Sequence, residues 1–144
     1  MQIEHLRQRL RALGAKPAHE ARFLRAWSQQ RSLDTRRGRA QDFFPLALQL
    51  ADGQTVESVL LPRDGLCVST QVGCAVGCVF CMTGRAGLLR QLGSAEIVAQ
   101  VALARRRRAV KKVVFMGMGE PAHNLDNVLE AIALLGTEGG IGHK

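Results

Sequence analysis

The chain has 144 residues, about one ordinary domain, and 47% of them are hydrophobic, enough for a packed core and too many for wholesale disorder. Twenty Lys and Arg against twelve Asp and Glu leave a net charge of +8. No apolar run approaches the ~20 residues that span a bilayer, and residues 1–10 lack the apolar stretch of a secretory signal. The expectation is therefore a cytoplasmic protein whose cysteines serve metal or redox chemistry rather than a disulfide framework.

Residues 3–13 and 18–31 predict two short helices. Ile3, Leu6, Leu10 and Leu13 recur at helical spacing, and Phe23, Leu24 and Trp27 give the second segment an apolar stripe. Gly14 and Pro17 mark the turn between them. Residues 1–40 hold ten basic side chains and three acids, a local balance of +7, whereas the rest of the chain balances to +1. Nearly all of that excess is arginine, whose planar fork suits phosphate, so RNA is the candidate partner. A solvated Arg-rich helix face would carry the same charge.

Residues 32–42 read as a polar, basic linker. Residues 45–50 and 55–61 predict a β-hairpin turning at Asp52-Gly53, and Pro62 ends its second strand. Residues 66–72 then predict a strand followed by a Gly- and Cys-rich loop. Ser94 and Glu96 open a helix that runs to about Arg108. Residues 113–116 predict a short buried strand leading into a loop over 117–121, and residues 126–135 a further helix. This alternation predicts an α/β fold with parallel strands and crossover helices. Arg105 to Arg108, with Lys111 and Lys112, fit a helix end that suits cations, or an extension of an RNA surface. The four histidines have no ligand spacing among themselves.

Cys74, Cys78 and Cys81 form C-x3-C-x2-C on the loop after the strand. Three thiolates on one loop suit three irons of a 4Fe–4S cluster, leaving the fourth iron open to a small ligand. Gly73, Ala75 and Gly77 let the backbone wrap closely around a large group. A zinc site with Cys67 as fourth ligand is the alternative, although structural zinc loops favour paired C-x2-C knuckles. Glu57 shares a strand face with Val59 and Leu61 by period-2 alternation, an odd place for a carboxylate unless it is paired or working. Glu120, in Gly117-Met118-Gly119-Glu120-Pro121, offers an acceptor to a cationic group, and its glycines allow close backbone approach.

The cysteine motif, with Phe80 before its last cysteine, resembles the radical S-adenosylmethionine superfamily. Residues 66–74 together with the 117–121 loop are similar to the RNA adenine methyltransferases that modify carbon 2, or carbon 8, of an adenine in 23S ribosomal RNA. The resemblance covers roughly residues 43–136. It implies the N-terminal part of a partial (β/α)6 barrel over 66–144, preceded by a β-hairpin (43–62) and a basic helical segment (1–40) in contact with RNA, ribosomal or transfer. It implies Cys74, Cys78 and Cys81 as cluster ligands, and Phe80, Gly119, Glu120 and Asn124 beside S-adenosylmethionine. An electron donor such as flavodoxin or ferredoxin would reduce the cluster, and the radical cleaved from the cofactor would attack the aromatic carbon. Glu57 would be the base that takes the proton from the methylated carbon, with its acidity weakened by desolvation. Cys67 would form the disulfide that releases product.

The same resemblance requires a second, methyl-carrying cysteine far downstream, and no cysteine follows Cys81. Residues 66–136 hold two β-α units where the partial barrel has six. The expectation is the N-terminal part of a longer enzyme that cannot turn over alone. Two rivals stay open: a radical enzyme for another substrate, with Glu57 and Cys67 structural, and a basic RNA-binding module with structural zinc.

Overall fold

A computed structural model describes residues 1–29, 44–79, 81 and 83–142. The predicted linker at 32–42, Phe80 and the last two residues lie outside the described residues. Helices α1 (Ile3–Ala12) and α2 (Pro17–Ser28) form where the periodicity places them. Pro17 stands at the first turn of α2, where its missing N–H leaves nothing unpaired.

The hairpin follows as β1 (Phe44–Gln49) and β2 (Thr55–Leu61), antiparallel, with Ala47 opposite Glu57 and Leu48 opposite Val56. In β2 the alternation is clean: Val56, Ser58 and Leu60 are buried, while Glu57 is exposed and Val59 and Leu61 are half-buried. Strand β3 (Gly65–Cys67) adds antiparallel to β2, with Cys67 opposite Val59. Next come β4 (Gln71–Gly73), a 3-10 turn at Thr83–Ala86, and β5 (Leu88–Gln91). Helix α3 (Ser94–Arg105) crosses over to β6 (Lys112–Val114), which lies parallel to β3. A second 3-10 turn (Pro121–Asn124) leads into α4 (Leu125–Thr137). The main sheet runs β1-β2-β3-β6, and β4 and β5 form a separate antiparallel pair.

Two expectations are corrected here. The single strand predicted over 66–72 is two strands in two sheets, because the backbone of Ser69 is taken by a side chain. Gln100 on α3 accepts the Ser69 N–H (2.9 Å) and donates to its carbonyl (2.8 Å), so no neighbouring strand can pair there. Strand β5 lies inside the stretch between residue 72 and Ser94, where the sequence predicts loop alone. Leu88 and Leu89 are both exposed, so the segment has no apolar period to betray it.

One core joins the elements. Leu46, Val56, Leu60, Leu66, Ile97, Val98, Val101, Val128, Ala131 and Leu134 are buried in it together with Ile3 and Leu24 of the N-terminal helices. The basic helical segment is also fastened polar group to polar group. Ile3 N–H donates to Ser94 Oγ (2.9 Å), Arg105 donates to the Ser28 carbonyl (2.6 Å), and Gln29 donates to the Glu138 carbonyl (2.7 Å). Arg90 ties the hairpin turn to α3 by pairing with Asp52 (2.6 Å) and Glu96 (2.7 Å). Burial pushes Glu96 up, but hydrogen bonds from Arg90, the chain's amino group and the Gly93 amide outweigh it and hold Glu96 down at about 2. Among the described residues no helix is long and apolar enough to cross a membrane.

Candidate functional site

The main sheet buries one face under its helices, and the other face carries the predicted chemistry. Cys67 stands opposite Val59 on β2 and beside Val114 on β6, so it shares a face with Glu57. Diagonal neighbours of this kind lie about 7–8 Å apart. The Cys67 side chain is half-buried, and burial pushes its thiol up, partly offset by a hydrogen bond from the Met116 backbone. Glu57 is exposed among the described residues, so the desolvation expected of a base is not supplied by them.

The cysteine loop leaves β4 at a tight turn. Gly73 has φ +80°, and a Cβ there would collide with the Gly87 carbonyl, which also accepts the Cys74 N–H (3.2 Å). That contact demands glycine. Cys74 is buried, Cys78 exposed and Cys81 half-buried, and all four cysteines are free. Hydrogen bonds from the Gly84 and Thr83 backbone and the Thr83 hydroxyl hold the Cys81 thiol below its ordinary range. The donor set thus fits an iron–sulfur cluster: three free thiols on one loop, one already biased toward the ligating thiolate. No group of three or more His, Cys, Asp or Glu among the described residues converges as for a single metal ion. A cubane binds each thiolate to a different iron, so convergence on one point is not what it requires.

The 117–121 loop is clamped to the strand entering the cysteine loop. Thr70 and Gln71 N–H groups both donate to the Met118 carbonyl (2.8 and 3.2 Å). The Ser69 hydroxyl accepts the Met118 N–H (2.9 Å) and donates to the Glu57 carbonyl. Gln71, wholly buried, accepts the Glu120 N–H through Oε1 (2.8 Å). Gly119 has φ +97°, and a Cβ there would lie 2.5 Å from the Gln71 Cβ. Glu120 itself is half-buried, caps the following turn, and accepts the Ala122 N–H (3.1 Å). Asn124 is buried and donates to the Thr70 and Leu92 carbonyls (2.7 and 2.8 Å), holding the loop's far end. Cys74 follows Gln71 by three residues, at most about 10 Å of extended chain.

Sequence reasoning missed Ser69, Gln71, Gln91 and Gln100. Gln100 was visible as a polar residue among Ile97, Val98, Val101 and Ala104 on α3; buried amides of this kind need partners. The N-terminal basic residues Arg9, Lys16 and Arg22 are exposed, while Arg11 pairs with Glu20 and Arg25 with Glu138. Arg31, Arg36, Arg37 and Arg39 lie outside the described residues.

A family model of the radical SAM superfamily matches residues 68–143. The chain belongs to this superfamily. This radical SAM chain is 68% identical over 175 residues to a probable RNA methyltransferase of Aromatoleum aromaticum, all of the chain matching 49% of that protein. A probable RNA methyltransferase of Pseudomonas aeruginosa is 63% identical over 178 residues, with all of the chain and 51% of that protein covered. The crystal structure of a radical SAM methyltransferase from Sphaerobacter thermophilus superimposes with a TM-score of 0.68 at 31% identity, covering 96% of the chain and 51% of that protein. The chain spans about half the length of the curated relatives it matches.

Proposed function

We propose that the chain is the cofactor-binding part of a radical S-adenosylmethionine methyltransferase acting on an adenine carbon of RNA. The observation that carries this reading is the clamp between the two motif loops: Met118 and Glu120 are hydrogen-bonded to Ser69, Thr70 and Gln71, directly ahead of Cys74. The names of the relatives support RNA as the substrate class.

Cys74, Cys78 and Cys81 would hold the cluster, and Gly119 and Glu120 the cofactor, with the carboxylate accepting its cationic amino group. When bound, the cluster and S-adenosylmethionine would supply one-electron chemistry able to break a C–H bond that no ordinary base can reach. On the open sheet face Glu57 would accept a proton, and Cys67, kept protonated by burial, would present its sulfur beside it. Asn124, with its amide hydrogens already engaged, would position the loop rather than touch the cofactor. The exposed arginines of α1 and α2 would face RNA phosphates.

Anaerobic reconstitution with iron and sulfide tests the reading. The wild type is expected to take up a visibly absorbing cluster, and Cys74→Ala, Cys78→Ala and Cys81→Ala each to lose it; a colourless, zinc-loaded protein would overturn it. Residues 1–144 hold no cysteine beyond Cys81, so they are expected not to methylate RNA alone, and turnover by this chain would refute that.

A further inference from the structure

We infer that Gln71 and Gln91 form a directional amide relay that positions the Glu120 carboxylate for the amino group of S-adenosylmethionine. The inference rests on the role proposed above for Glu120. Glu120 N–H donates to Gln71 Oε1 (2.8 Å), Gln71 Nε2 donates to Gln91 Oε1 (2.8 Å), and Gln91 Nε2 donates to the His123 carbonyl (2.9 Å). The relay leaves the 117–124 loop at Glu120 and returns to it at His123, gripping both ends of the turn that Glu120 caps.

Its direction is fixed by chemistry. A backbone N–H can only donate and a backbone carbonyl can only accept, so both glutamine amides have one orientation that makes all three bonds of the relay. Flipping either side chain would set carbonyl against carbonyl or N–H against N–H. Gln71 is wholly buried, where an unmatched amide is costly, so the orientation is held. Gly119 packs on the Gln71 stem with no room for a Cβ, which fixes the backbone just before Glu120. Within the relay each amide spends one N–H and one face of its oxygen on its neighbours rather than on the cofactor. Both glutamines are positioning residues.

The test measures binding of S-adenosylmethionine to the cluster-reconstituted protein by calorimetry, without reductant, alongside iron content and melting temperature. Gln71→Leu and Gln91→Met are each expected to weaken binding about tenfold, with iron per chain unchanged. Gln91 is exposed, so its replacement leaves the core filled and keeps the test valid should Gln71→Leu fail to fold. In a Glu120→Gln background the Gln91→Met change is expected to add nothing, a non-additivity that a general loss of stability would not produce. Wild-type affinity in Gln91→Met, or a fall in its iron content, would overturn the relay. Wild-type affinity in Glu120→Gln would instead refute the role of Glu120 itself.

Discussion

Gln100 closes both backbone hydrogen bonds of Ser69, accepting its N–H at 2.9 Å and donating to its carbonyl at 2.8 Å. The amide of one helix side chain thus replaces a neighbouring strand at the point where the chain passes from the main sheet toward the cysteine loop. Gln100→Leu keeps the volume but strands a buried N–H and a buried carbonyl. We expect it to cost about 2–4 kcal/mol, read as a lowered midpoint in urea unfolding, whereas Gln100→Glu keeps one of the two bonds and should cost less at low pH than at neutral pH.

Gly119 faces two obstacles to substitution: a φ of +97° and the Gln71 side chain 2.5 Å from where a Cβ would sit. Gly119→Ala must move the Glu120 backbone or the Gln71 stem. Backbone strain of this kind costs about 1–3 kcal/mol. The expected result is a weaker affinity for S-adenosylmethionine with the cluster still bound, checked by calorimetry and iron analysis on the same preparation.

Glu96 titrates far below its ordinary value, held at about 2 in the folded chain against 4.5. A lowered folded-state value favours folding above the unfolded value and loses that contribution as pH falls through the folded one. Melting temperature should therefore decline between pH 4.5 and 2 more steeply in the wild type than in Glu96→Gln. At neutral pH Glu96→Gln should melt lower, because the amino terminus loses its charged partner and Arg90 loses one of its two.

Cys67 is half-buried with its thiol pushed up, whereas Cys78 is exposed. Thiolates react and thiols do not. In the cluster-free protein, alkylation followed by peptide mass spectrometry should modify Cys78 well before Cys67 at neutral pH, and Cys67 should quicken only as pH rises past the ordinary thiol range. Equal rates would contradict the half-buried placement.

Periodicity made the helices and the hairpin legible, because α1, α2 and β2 each expose one face and bury another. The cysteine spacing and the 117–121 loop were legible because their chemistry is written in residue identity. What stayed hidden was pairing. Nothing in Val68-Ser69-Thr70 says that its ladder is broken from a helix 31 residues away, and Leu88-Leu89 gives no sign of a strand whose apolar side chains are exposed. Glu57 was placed on the correct face by alternation, but alternation alone could not tell that face to be the open one.

The Ser69 hydroxyl spends its proton on the Glu57 carbonyl and its lone pair on the Met118 N–H. A single oxygen atom therefore couples the hairpin to the glycine loop, and slow exchange of the Met118 amide with deuterium becomes a remote gauge of the hairpin. Fraying β2 should release that amide before any residue of the loop itself has moved.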